Sequence, residues 1–367
     1  MKIYNIFCII LIVCFAAYAF AGETTRPAYL PDLRNQAMGG LSVVNAQGSF
    51  AYTYNPALLA SGESSMTLGA LQVAFSDNFF DIFEYIADNS DNFKKLNSSY
   101  TPKLTAQQSD SLIDYLRREA VAVDNIWYNG NIIPFAGIAL NNFGFGVYSV
   151  ANASIRSDVG ILIPKFWLKV YDDLVFAAGY GKYYKKNLAL GVNVKLIRRF
   201  EAPLVKIQVE EADNFEKALD DGLDELQEGK WGYGLDIGAL YHLSPRTQVG
   251  LMLQDFLGQI DQVNTPMNLK IGVQHQVMPR LAVGGEFKDF FNRNGDHLFN
   301  KFHFGAEYRL PVLRFRLGFN QGYPTAGVGL DLWILQLNYT YFEYELTPAP
   351  GQRGEAMHKL GLRITPF

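Results

Sequence analysis

The sequence predicts an all-β chain, about fourteen antiparallel strands closed into a transmembrane barrel, with short helices in the external loops. Three observations predict it: an alternation of side chains that suits two different solvents, connections that alternate short and long, and an export signal with no later spanning helix. The alternation is plainest in Trp231–Leu243. Trp231, Tyr233, Leu235, Ile237, Ala239, Tyr241 and Leu243 make one face, with aromatics near both ends. Gly232, Gly234, Asp236, Gly238, Leu240 and His242 make the other, mostly small or polar. Successive side chains of a strand point to opposite faces, so this is a strand and not a helix. In a membrane barrel the apolar face meets lipid and the other face meets the lumen.

The chain has 367 residues and a formal charge of −4, with 14% aromatics and 33 glycines. It has no basic stripe of the kind that nucleic-acid binding needs, so nucleic acid is not an expected partner. Residues 1–21 read as a signal peptide: Lys2, the apolar run Ile3–Ala17, then the small-x-small site Ala19-Phe20-Ala21. Cys8 and Cys14 both lie inside it. The mature chain then has no disulfide, no thiolate metal site and no cysteine nucleophile. Past the signal no apolar run reaches the ~18 residues of a spanning helix.

Residues 22–64 read as a compact irregular segment ahead of the first strand. It carries Met38-Gly39-Gly40, where glycine permits backbone angles closed to other residues, and Asn55-Pro56-Ala57, an Asn cap followed by proline in the first turn. The barrel is expected over 65–367. Its strands are Ser65–Phe75, Ile132–Asn141, Phe143–Ala151, Asp173–Tyr184, Asn187–Arg199, Trp231–Leu243, Arg246–Phe256, Met267–Val277, Arg280–Phe290, Asn300–Leu310, Leu313–Gln321, Pro324–Asp331, Trp333–Tyr344 and Glu355–Thr365. Most have the ~9–11 residues that cross a bilayer at a tilt. Asn141-Asn142, Tyr184–Lys186, Ser244-Pro245, Met278-Pro279, Pro311 and Leu332 are tight turns. Ser76–Asn131, Asn152–Asp172, Phe200–Lys230, Leu257–Pro266, Phe291–Phe299 and Leu346–Gly354 are long links. Short on one side and long on the other is the asymmetry of outer-membrane barrels.

The faces agree. Leu188, Leu190, Val192, Val194 and Leu196 alternate with Ala189, Gly191, Asn193 and Lys195. A charge at the lipid midplane costs roughly 2–4 kcal/mol, so the aliphatic set belongs outside and the charges inside. The first two strands alternate poorly, which fits either strands that lie against a plug or strands placed wrongly along the chain. Helical patterns fall in insertions at about 77–121 and 205–228: Asp77–Asp88, Thr105–Val121 and Asp213–Glu228. Their apolar residues Phe79, Phe80, Phe83, Phe215 and Leu219 are candidates for a ligand-access surface.

Asp236, Lys270, Glu286, Lys288, Lys301, His303, Glu307, Arg309, Arg314, Arg316 and Asp331 are the expected lumen charges. They suit either a selectivity lining or ion pairs that close the lumen, to one another or to the N-terminal segment. The acids from Glu210 to Glu228 suit divalent cations or a solvated helix face, and their spacing matches no ordered calcium loop. No metal site or cofactor is expected. No histidine sits in a nucleophile motif, so the chain does not read as an enzyme.

Gln36–Ala60 resembles the N-terminal signature of the FadL-like outer-membrane barrels, through Met38-Gly39-Gly40 and Asn55-Pro56-Ala57-Leu58-Leu59-Ala60. Asn320-Gln321-Gly322-Tyr323 and Tyr339-Thr340-Tyr341 are similar as well. That superfamily includes fatty-acid and aromatic-hydrocarbon channels, PorV-type secretion subunits and TraF-like barrels. The resemblance implies a fourteen-stranded barrel whose N-terminal segment, residues 22–64 with Met38, Gly39, Gly40, Asn55, Pro56 and Ala57, folds into the lumen as a hatch or plug. Gln47 departs from the usual acid of the signature, and the insertion after the first strand is long. The resemblance implies a monomer in the bacterial outer membrane, in contact with lipid and lipopolysaccharide, that takes up a hydrophobic small molecule. The alternative is a non-transporting anchor for a secreted or surface protein in a secretion, attachment or conjugation system.

Overall fold

The computed structural model describes residue 25 and residues 28–96, 103–119, 127–158, 165–202, 205–208, 229–293 and 295–366. The signal peptide, Phe215, Leu219 and the helical pattern Asp213–Glu228 lie outside them.

The strands are β1 (Gly62–Ser76), β2 (Trp127–Asn141), β3 (Phe143–Asp158), β4 (Lys165–Lys185), β5 (Leu188–Glu201), β6 (Val205–Gln208), β7 (Lys230–Ser244), β8 (Thr247–Ile260), β9 (Val263–Asn264), β10 (Asn268–Met278), β11 (Leu281–Phe287), β12 (Phe302–Arg309), β13 (Leu313–Asn320), β14 (Tyr323–Leu332), β15 (Leu335–Glu345) and β16 (Gly354–Ile364). β6 and β9 are short additions on β4 and β8. The other 14 form a closed antiparallel barrel. The ring closes where β16 pairs with β1 and β8 pairs with β10. Closure leaves no unpaired strand edge in lipid, where an unpaired backbone group is costly. No helix among the described residues is long and apolar enough to cross a membrane.

Each of the fourteen expected strands is present, with shifted ends. The largest shift is at Asn152–Asp172, expected as a long link. β3 continues to Asp158 and β4 starts at Lys165, paired throughout. The apolar alternation fades there while the hydrogen bonds continue, so the ladder extends further than the pattern of side chains shows. Trp333, expected inside a strand, sits in the β14–β15 turn at a positive φ of 62° and is fully exposed.

The poor alternation of β1 has a simple origin. A bulge between Thr67 and Ala70 shifts the parity of its pairing with β2. Thr67 faces in below it; Gln72, Ala74 and Ser76 face in above it, while Leu71 and Val73 are exposed. β2 alternates regularly, but its inner face is apolar, because Ile133 and Phe135 pack on plug residues Phe50 and Tyr52.

The plug comprises α1 (Leu33–Ala37), α2 (Ala51–Tyr54) and short 3-10 turns ending at Ser61. Leu30, Met38, Leu41, Val43, Phe50, Tyr52 and Ala57 are buried in the lumen. The insertion after β1 forms α3 (Phe79–Asp88), α4 (Ser90–Leu96) and α5 (Ala106–Glu119).

Candidate functional site

The wall receives the plug backbone on rows of inward glycines. Gly181, Gly191 and Gly238 are register partners across β4, β5 and β7. Asn55-Pro56 lies on them so closely that a Cβ on Gly191 would stand 2.3 Å from the Pro56 carbonyl carbon, and one on Gly238 1.9 Å from Asn55 Oδ1. Gly305 and Gly318, partners across β12 and β13, receive Met38-Gly39 in the same way. Gly39 itself adopts a φ of +69°, and a Cβ there would meet Phe304 O at 2.3 Å. Asn55 Nδ2 donates to Val43 O at 2.9 Å and Ala239 O at 3.3 Å, while Asn55 Oδ1 accepts from Ala57 N. The Asn cap thus ties the turn to the wall as well as to itself.

Charged side chains clamp the plug between these seats. Glu307, fully buried on β12, accepts from plug Arg34 at 2.8 and 2.9 Å. It also accepts from Arg316 at 2.8 Å and Arg309 at 2.5 Å. Glu286 accepts from Ser42 N, Ser42 Oγ and Val43 N at 2.6, 2.8 and 2.9 Å. His303 Nδ1 lies 2.8 Å from Gly39 O, and Lys288 Nζ donates to Gly40 O at 2.6 Å. Arg363 donates to plug Asp32 at 3.1 Å. Inside the plug, burial, with Asp32 adding, pushes the Tyr54 phenol well above its ordinary value. It therefore stays protonated, donating to Leu30 O and accepting from Asp32 N.

Other expected lumen charges pair within the wall. Asp236 accepts from Lys195 at 2.9 Å, and Lys195 also holds Asp255 at 2.5 Å. Lys301 stands 3.5 Å from Asp289, and Arg314 pairs with Asp331 toward the short turns. Lys195 is expected inward from its strand's alternation, whereas Asp255, Arg199 and Asp173 are lumen charges that the sequence reading does not single out. The inward parity of Lys195 was readable, but its partners sit on other strands.

Above the plug, on the long-link side, lies a cavity of about 570 Å³. Its floor includes Tyr29, Asp32, Asn35 and Gly40 of the plug. Lys270, Lys288, Lys359 and His303 bring basic groups to its wall, and Met267, Phe342, Tyr344 and Met357 bring apolar surface. Among the described residues Lys270 and Lys359 have no carboxylate partner. Lys288, just beyond β11, is held below the ordinary lysine value by burial, with Glu286 opposing.

Phe79 and Phe80 do not line this cavity. Both pack with Phe75 on the outward face of β1, and Phe79 covers Gly130 from outside. The expected ligand-access surface at Phe79 and Phe80 is therefore separate from this cavity, because α3 folds back against the outer wall instead of across the mouth. The Phe83 side chain lies outside the described residues. No hydrogen bond joins a histidine to a serine among the described residues, and no cluster of metal-ligating side chains occurs among them.

A closed barrel of this strand number, with its lumen filled by an N-terminal segment, defines the class of plugged outer-membrane β-barrels. The chain has the FadL-like barrel fold. It is similar to the toluene transporter TodX of Pseudomonas putida, at 12% identity and a TM-score of 0.53, over 94% of this chain and 100% of the other. It is similar to the toluene transporter TbuX of Ralstonia pickettii, at 15% identity and a TM-score of 0.50, over 94% and 99%. A TodX variant described as a monoaromatic hydrocarbon channel gives 13% and 0.54 over 94% and 99%. The sequence matches no protein-family model and no curated protein.

Proposed function

We propose that this protein sits in the bacterial outer membrane and admits a hydrophobic small molecule, a fatty-acid-like amphiphile, by passive uptake. The observation that carries the reading is the cavity: a space of about 570 Å³ stands between the long links and a plug that fills the lumen beneath it. Its size is within the range of ligand pockets. Its lining suits an amphiphile, with methionine and aromatic side chains for a tail and the ammonium groups of Lys270 and Lys288 for a carboxylate. The similar folds described as hydrocarbon channels support the same reading. No step of it needs an enzyme or a cofactor.

The molecule would wait on the plug and pass when Met38–Ala57 shifts off its glycine seats. Native mass spectrometry of the barrel extracted in mild detergent tests the reading. A retained alkanoate is expected. Lys270→Met with Lys288→Met should weaken its retention about tenfold, the worth of a charge-assisted hydrogen bond. A barrel that never retains an alkanoate or hydrocarbon, and that admits none into proteoliposomes, overturns it.

A second reading has one observation in its favour. α3 and α5 stand outside the wall, with Phe80 60% and Tyr115 42% exposed. A non-transporting anchor would offer such a surface to a secreted or surface protein. A stoichiometric protein subunit in the same spectra, without small ligand, is the result that selects it.

A further inference from the structure

A second space, of about 420 Å³, lies above the first. Both are lined by Asn131, Asn152, Tyr171, Tyr344 and Met357, so they adjoin. The upper space is not greasy. Two inward rungs cross β2, β3 and β4 there, where these strands rise above the rest of the barrel. Asn131, Asn152 and Tyr171 are register partners in one rung; Asn129, Ser154 and Lys169 are partners in the next.

Part of this ladder is held in place. Glu355 accepts from Asn129 Nδ2 and from Tyr344 Oη, both at 2.5 Å. Ser154 Oγ lies 2.5 Å from Asn129 Oδ1 and 3.1 Å from Asn152 Oδ1. The rest is unused. Among the described residues the Asn131 amide has no hydrogen-bond partner, and Asn152 keeps both its N–H donors. An amide offers a donor and an acceptor side by side, which two neighbouring hydroxyls match in reverse. Tyr171 and Tyr344 add aromatic faces, on which the C–H edges of a sugar ring pack. A hydrocarbon gains nothing from such a wall, because it would strip water from amides and leave them unpaired. An anion is served poorly as well, since Lys169 and Arg353 stand on different walls with the Glu355 carboxylate nearby.

We infer that this vestibule is a subsite for a neutral saccharide, free or as the head group of a glycolipid, held by the Asn131 and Asn152 amides beside Tyr171 and Tyr344. The inference does not rest on the uptake reading, because a surface receptor could use the same ladder.

Saturation-transfer NMR on the full barrel in nanodiscs tests it, with glucose, galactose, maltose and octyl glucoside as probes. Transfer to sugar-ring protons of at least one probe is expected. Transfer from the free sugars assigns a free saccharide; transfer from octyl glucoside alone assigns a lipid-borne head group. Asn131→Ala with Asn152→Ala should cut the signal about fivefold or more. Asn131→Asp, which keeps the shape and removes the donors, should cut it too and guards against a folding defect in the double variant. Lys270→Met, which probes the inner cavity, should leave it unchanged, so failure here is separate from failure of the uptake reading. No transfer from any probe, an unchanged signal in the amide variants, or loss of the signal to inorganic phosphate overturns the proposal.

Discussion

Glu307 shows what one side chain does in this lumen. It is fully buried and meets three guanidinium groups, Arg34 from the plug and Arg309 and Arg316 from the wall. Breaking a buried pair by removing one partner typically costs about 3–5 kcal/mol, because the other charge stays buried and uncompensated. Glu307→Ala is therefore expected to release Arg34 and loosen the plug. The checks are a lower thermal transition of the barrel and larger open-channel noise in planar bilayers. Gly39→Val tests a different cause at the same end of the plug. The added side chain meets the Phe304 and Phe319 carbonyls, and valine resists a positive φ. Raised single-channel conductance is expected; unchanged conductance and stability would remove the hatch role of Met38–Gly40.

At the scale of elements, the row Gly181, Gly191 and Gly238 admits the Asn55-Pro56 turn to the wall. Gly238→Ala puts a methyl where Asn55 Oδ1 stands, so the turn must lift. Asn55→Ala removes the cap and leaves the Val43 carbonyl without this donor, for about 1–3 kcal/mol. Both variants should make Met38–Ala57 more accessible to added protease, and the digest pattern checks it. The alternation that located the strands is enforced by lipid and is clear on β5, β7 and β12. It fades on β2, where the plug supplies a second apolar neighbour, and it breaks on β1, where the bulge changes parity. The inner face of β2 answers to residues dozens of positions away, and β1 changes parity at a bulge that no local spacing marks.

At the scale of the whole molecule, the barrel is lopsided. β4 has 21 residues and β13 has 8. The tall side, β2 to β4, carries the polar vestibule inside and the α3 helix outside. Deleting residues 33–61 should leave a folded barrel with a steady large conductance, because the wall closes through β1–β16 and β8–β10 without the plug. If the deletion abolishes folding, the plug is a structural core and not a hatch. Lys288 adds a pH signature to the inner cavity. Burial lowers its proton affinity, so it loses its charge at a lower pH than an exposed lysine. Retention of an alkanoate should accordingly weaken as pH rises toward the ordinary lysine range.

The sequence alone determined the architecture: strand number and the inward facing of charged side chains follow from a period of two and a rule against charge in lipid. Each is a local or solvent-imposed constraint, so each is written along the chain. Tertiary structure decided which charges meet. Glu307 and Arg34 are 273 positions apart, and no spacing joins them. It also decided that Phe79 and Phe80 lie outside the wall, since an apolar helical face fits a cavity rim and an outer surface equally well. The inward glycines were legible as a small face, but their purpose was not, because a missing side chain acquires meaning only when another backbone lies where it would have been.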